Sequence, residues 1–287
     1  MSALDRLAER QLVVVTGKGG VGKTTLASVL GRLLAARGRR VLLLEVDPRE
    51  SLHQALGTEP SGGEMVQAGP GLWLQNLQPQ AVIEALVHEK VPLGYLARKI
   101  AESPAFHHFV EGAPGLKETA LLGHAYRVLH EGRRPRADLV ILDAPATGHG
   151  ATLLAAPGLL AQAAQGGQLG DMAADLAAFL ADPSRCGVAL ATLAEEMPIQ
   201  ETLELLEVLQ EKLAMRPGLV VANGLIPLPL EGPGLELLRT RRRLNEAELG
   251  RLNATWKGPH VALPLLPLDR GPGLIDRLVQ VFLQEDR

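Results

Sequence analysis

Residues 12–31, LVVVTGKGGVGKTTLASVLG, read as strand, turn and helix in succession. The apolar, β-branched run from Leu12 to Val15 meets a glycine-rich turn, which leads into residues at helical spacing. Gly17 to Thr24 fits the spacing G-x-x-x-x-G-K-[ST], a backbone cradle for phosphates. Gly17, Gly19, Gly20 and Gly22 let successive N–H groups converge on phosphate oxygens. Lys23 brings a cation to the β- and γ-phosphates, the Thr24 hydroxyl suits Mg²⁺, and the helix N-terminus adds its dipole. Gly17 through Thr25, Val21 and Thr25 included, are therefore the candidate nucleotide contacts.

The remaining composition narrows the setting. The chain has 287 residues, 46% hydrophobic and 21% charged, with a net charge of −3, so nothing in its charge points to nucleic acid. Aromatic residues make up only 3%, which leaves the core to Leu and Ala and offers few platforms for stacking bases. The single cysteine, Cys186, excludes an intrachain disulfide and any thiol pair for zinc, arsenite or an iron–sulfur cluster. The first ten residues, MSALDRLAER, are unlike a secretory signal, and no stretch offers roughly 20 uninterrupted apolar residues for a membrane span. A cytoplasmic chain without a transmembrane segment is the expectation.

Along the chain, strands and helices alternate. Val41 to Val46 is an apolar run broken only by Glu45, as expected of a strand buried on both faces, and it ends at Asp47-Pro48. Residues 58–70, rich in Gly, Pro, Ser and Glu, read as a mobile loop, followed by a strand from Leu72 to Leu77. Pro79 to Gly132 is helical in pattern, far more than one crossover needs. Asp138 to Leu142 is the next strand; its tip carries Asp143, the Walker B arrangement for the Mg²⁺ water shell. Helices follow over 150–183, with Leu169, Met172, Leu176, Phe179 and Leu180 on one face. Strands at Val188–Thr192, Leu219–Ala222 and Val261–Leu263 alternate with helices at Ile199–Leu213, at Gly234–Leu252 with a solvated arginine run, and at Leu274–Leu283. About seven strands alternating with helices predict an α/β fold, a doubly wound, mostly parallel sheet. A single P-loop domain over 1–287 is expected, with an inserted helical subdomain from about 78–132 and 150–185.

GKGGVGKTT, with Lys18 directly after the first glycine, resembles the deviant Walker A loop of the ATPases that include ArsA, the Get-type tail-anchored-protein targeting ATPases, MinD/ParA and nitrogenase iron protein. In that group the extra lysine reaches the nucleotide of a facing subunit, so the resemblance implies a homodimer. VDPRESLHQALG is similar to the switch I stretch of the ArsA/Get family, which implies that Asp47 orients or deprotonates the attacking water; an aspartate before proline also suits a helix start. Arg49 and Glu50 stand where the family has Ala-His. APGLKETALLGHAYRVL looks like the family's PGxxE-containing helix, and TLAEEMPIQET resembles a later segment. DAPATGHG resembles switch II, sharing Asp143, Thr147, Gly148 and His149, with Ala144-Pro145-Ala146 as the departure. Asn223 stands where the family presents an asparagine to adenine, or is a turn residue before Gly224; Pro264 and Leu265 stand where a loop packs on the adenine ring.

The resemblance implies an ATPase that takes Mg²⁺ and ATP to ADP and phosphate. Asp47, Lys18 and Lys23 would be catalytic, and Thr24, Asp47 and Asp143 would hold the metal, partly through water. The helices over 150–183 are either a client-binding surface or ordinary packing. The missing thiols speak against arsenite, and the CxxC pair of eukaryotic targeting factors is also missing. The second reading is a MinD/ParA-like organiser acting on membrane or DNA.

Overall fold

The computed structural model describes residues 2–90, 93–130, 137–145, 150–164, 166–229 and 231–286. Among these, eight strands form one sheet: β1 (Leu12–Thr16), β2 (Val41–Glu45), β3 (Val66–Gly69), β4 (Leu72–Asn76), β5 (Leu139–Asp143), β6 (Cys186–Leu193), β7 (Leu219–Leu225) and β8 (His260–Pro264), in the order β3-β4-β2-β5-β1-β6-β7-β8. All pairings are parallel except β3 with β4. The expected mixed α/β, mostly parallel sheet is present, with one strand more than expected.

Among the described residues, twelve helices surround it. On one face lie α1 (Ala3–Ala8), α2 (Lys23–Ala36), α3 (Ser51–Leu56) and α12 (Pro272–Glu285). On the other lie α4 (Pro79–Lys90), α6 (Pro104–Gly112), α7 (Leu116–His130), α8 (Gly150–Ala164), α9 (Gly167–Ala181), α10 (Glu196–Leu213) and α11 (Glu236–Thr255), and α5 (Gly94–Ala101) packs on α4 and α6. The pleat explains why the strands read as unbroken apolar runs. Leu12, Val14, Leu42, Leu44, Val140 and Leu142 enter one core, whereas their neighbours Val13, Val15, Val41, Leu43, Leu139 and Ile141 enter the other. α2 buries Leu26, Val29, Leu30, Leu33 and Leu34, and ends where Gly38 takes φ 83°. No helix among the described residues is long and apolar enough to cross a membrane. The terminal helix α12 turns Ile275, Leu278 and Phe282 into the core.

Two local expectations need correction. The stretch 58–70 is not loop throughout, because Val66–Gly69 forms β3, an antiparallel edge strand. Four residues with a glycine at the last position, three of them only partly buried, give too short a run for alternation to stand out. Asn223 does not follow its strand but lies inside β7, paired in register with Leu193.

The sheet order sets the place for a site. β1 lies between β5 and β6, and the chain leaves β1 toward β2 on the far side of β5, so a crevice opens at the carboxyl ends of these strands. Gly150 begins α8 there with its backbone pressed on Thr16, at the last position of β1; a Cβ on Gly150 would overlap the Thr16 hydroxyl.

Candidate functional site

A cavity of about 750 Å³ opens at this edge, lined by the phosphate-loop residues Gly20, Gly22, Lys23, Thr24 and Thr25, and by Asp47 and Asp143. The turn that builds it depends on two glycines. Gly17 takes φ 145° beside the Ala191 carbonyl, and Gly22 takes φ 95° against the side-chain amide of Asn223; a Cβ at either would overlap that neighbour. Lys23 opens α2, is only 7% exposed, and its Nζ donates to the Lys18 carbonyl at 2.9 Å. Burial pulls the Lys23 ammonium below its usual range, while the Asp143 carboxylate works against that pull.

Thr24 Oγ1 donates to Asp143 Oδ2 at 2.6 Å. The second oxygen, Asp143 Oδ1, is buried with no hydrogen-bond partner. Burial pushes Asp143 up to about 6, against the Thr24 hydroxyl and the Lys23 charge. A partnerless buried carboxylate oxygen beside a hydroxyl is an oxygen donor set suited to a small hard cation, which usually takes one or two carboxylates and completes its shell with water and substrate phosphates. No group of three or more His, Cys, Asp and Glu among the described residues could hold a metal by itself.

Asp47 follows β2 and is held from both sides. Its Oδ1 accepts from Arg49 N at 2.9 Å and its Oδ2 from the Ser51 hydroxyl, so the carboxylate closes a turn. It does not cap α3, whose preceding residue is Glu50, in the left-handed region at φ 49°. The Asn76 side chain clamps the Asp47 backbone: Nδ2 donates to Asp47 O at 3.0 Å, and Oδ1 accepts from Asp47 N at 3.3 Å. A buried hub steadies the turn further. Ser61 N donates to Glu50 Oε2 at 2.7 Å and to His53 Nε2 at 2.8 Å, and burial holds His53 below its usual value.

Beneath the turn lies Glu45, only 1% exposed and paired in register with Asp143. Its Oε2 accepts from Leu52 N at 3.0 Å, whereas Oε1 is buried without a partner. Burial pushes this carboxyl up to about 8; the nearby Asp143, Asp47 and Glu50 add to the effect, and the Leu52 N–H opposes it. Read along the sequence, Glu45 was only an interruption in a strand; its pairing with Asp143 needs the sheet order.

Not every predicted residue reaches the cavity. Gly17, Lys18, Gly19 and Val21 belong to the turn without lining it. Lys18 Nζ lies 2.6 Å from Glu201 Oε1 on α10. Asn223 Nδ2 donates to Val21 O at 3.2 Å, behind the phosphate loop. Pro264 and the exposed Leu265 stand at the end of β8 away from this cavity, and Leu265 N donates to Leu225 O at 2.7 Å. Ala146, Thr147, Gly148 and His149 lie outside the described residues. The opposite wall carries lining residues that sequence reasoning missed, Arg270, Gly271, Leu274 and Ile275 at the start of α12, and Arg49 joins them from the Asp47 turn. Arg49 alone left a trace in the sequence, as a departure at its position.

A second, apolar cavity of about 540 Å³ lies among α4 to α9, between Ile83, Leu86, Phe106, Leu116, Tyr126 and Leu176. The α9 face divides there: Leu176, Phe179 and Leu180 are buried, whereas Leu169 and Met172 are exposed. Cys186 is buried at the start of β6, its thiol pushed up to about 12 by burial.

Residues 10–173 match the family described as anion-transporting ATPase. The chain is similar to ATPase BagA of Mycobacterium tuberculosis, 32% identical over 234 residues, which cover 79% of this chain and 68% of that protein. It is similar to the arsenical pump-driving ATPase of Escherichia coli, 29% identical over 278 residues, 95% of this chain and 44% of that one. ATPase ASNA1 homolog 1 of Paramecium tetraurelia is 28% identical over 154 residues, 52% of this chain and 44% of that protein.

Proposed function

Because the chain belongs to the anion-transporting ATPase family and is an ATP-hydrolysing enzyme, we propose that the cavity at Thr24 and Asp143 binds Mg²⁺ and ATP, and that a homodimer couples hydrolysis to movement of a helical subdomain built from about 78–132 and 150–185. The observation that carries this reading is the Thr24–Asp143 hydrogen bond, with Asp143 Oδ1 left partnerless on the wall that Lys23 and Asp47 share. Thr24 and Asp143 would hold the Mg²⁺, with Asp47 reaching it through water. The metal, when bound, supplies positive charge at the β- and γ-phosphates.

This chain's own residues account for the rest. Backbone N–H groups of the 17–25 turn and the N-terminus of α2 orient the phosphates. Lys23, partly desolvated, stands against the charge that develops during transfer. Asp47 holds the attacking water in line and accepts its proton, and the Asn76 clamp keeps that carboxylate in place. The adenine would extend past the cavity, where Asn223, after releasing Val21 O, Pro264 and Leu265 would surround it. Lys18 exchanges Glu201 for the partner's nucleotide as the dimer closes.

Phosphate release and light scattering test the reading together. Asp47→Asn should bind ATP normally and turn over at least about 100-fold more slowly. Normal turnover would remove Asp47 from the chemistry. A particle that stays near 30.6 kDa in every nucleotide state would remove the dimer.

A further inference from the structure

Of the two lysines of the phosphate loop, only Lys23 lines the cavity. Lys18 lies outside the lining, ion-paired to Glu201, whereas Arg49 and Arg270 face the cavity beside Lys23. Neither arginine has a carboxylate or hydrogen-bond acceptor on its guanidinium among the described residues. Other arginines of the chain do find partners, among them Arg37 on Asp5, Arg40 on Asp138 and Arg127 on Glu89. Arg49 is left without one although Glu50 is its neighbour, because Glu50 is turned inward onto His53 and Ser61 N. Both arginines are exposed, so their guanidiniums stand in solvent at the rim of the cavity.

The backbone of Arg49 is held in place, although its side chain is exposed. Its N–H donates to Asp47 Oδ1, and Asp47 is in turn clamped by Asn76, so the guanidinium is carried on the same rigid turn as the water-orienting carboxylate. Formally, Lys23, Arg49 and Arg270 outnumber Asp47 and Asp143 among the lining charges, and that excess favours a polyanion in the cavity.

We propose that Arg49 is a catalytic residue of the proposed ATPase site, a cation supplied by the same chain that touches the terminal phosphate in the transition state. This rests on the ATP-hydrolysis reading above. In the step, the oxygen of water bonds to the terminal phosphorus and the bond to the bridging oxygen breaks, with its electron pair leaving on ADP. The proton of water passes to Asp47 and then to the released phosphate. The planar guanidinium bridges a terminal phosphoryl oxygen and the bridging oxygen as charge moves onto the latter, a geometry a lysine ammonium does not reproduce.

The test compares wild type, Arg49→Ala and Arg49→Lys in steady-state ATP hydrolysis, ADP binding, and trapping of ADP with aluminium fluoride. Arg49→Ala should lose about 10³-fold in kcat, keep ADP affinity within about threefold, and fail to trap the aluminium fluoride complex, with only partial recovery in Arg49→Lys. Turnover of Arg49→Ala within about threefold of wild type, or normal trapping, overturns the assignment and leaves the ATPase reading intact. An equal loss of ADP binding and turnover also overturns it, because Arg49 would then act on binding alone. A wild-type chain that hydrolyses no ATP overturns both.

Discussion

Glu45→Gln isolates one buried proton. The side chain is 1% exposed, one oxygen accepts from Leu52 N at 3.0 Å, and its strand partner is Asp143. Glutamine keeps the volume and the acceptor but has no proton to lose. In the fold the carboxyl titrates at about 8, chiefly because burial disfavours its charge, against 4.5 in the unfolded chain. Between those values the folded state binds more protons than the unfolded one, so this group lowers stability progressively as pH rises from 4.5 to about 8, and the loss levels off above that. Below 4.5 both states hold the proton and the group has no pH effect. At about 1.36 kcal/mol per pH unit, Glu45→Gln should gain on the order of 3 kcal/mol relative to wild type between about pH 5 and pH 8. Urea unfolding followed by circular dichroism at several pH values, without nucleotide, measures the difference at each. A constant offset across that range would mean that Glu45 gives up its proton in the fold as readily as out of it.

Two further substitutions probe the same edge of the sheet. Gly22→Ala forces a side chain onto a residue at φ 95° and into the Asn223 amide; it should cost on the order of 1–3 kcal/mol in thermal unfolding and abolish nucleotide binding, and a variant that binds nucleotide normally would show the turn to be adaptable. Asn76→Ala removes both hydrogen bonds on the Asp47 backbone; it should cost about 1–3 kcal/mol and speed amide hydrogen exchange at residues 47–52, and unchanged exchange there would count against the clamp.

Much of the site is legible in sequence where its parts are contiguous. The phosphate turn is nine consecutive residues, Gly17 to Thr25, whose spacing is itself the chemistry, and Asp47 and Asp143 end apolar runs that could only be buried strands. The doubly wound sheet is legible for the same reason, since both faces of β1, β2 and β5 enter cores. What escapes is whatever depends on distant neighbours. Asn76 is an ordinary polar residue until β4 pairs with β2 and brings it beside Asp47. Arg270 precedes a helix that happens to point its start at the cavity, and nothing near it in sequence tells of that. β3 is short, partly exposed and ends on a glycine, so its edge pairing leaves no periodic trace.

The contact of Gly150 on Thr16 has a mechanical meaning. α8 starts at a point with no slack against the strand that feeds the phosphate loop, and extends 15 residues from it. A helix of that length is an arm of about 22 Å, so a tilt of about 5° at the fulcrum becomes about 2 Å at the far end. Pro157 lies near the middle of the arm, and the apolar cavity lies around Leu160 beyond it. The start of α8 is thus next to the phosphate loop and its far part next to the apolar cavity, so in the proposed movement of the helices a larger residue at 150 would jam α8 at its start and leave its far end untouched.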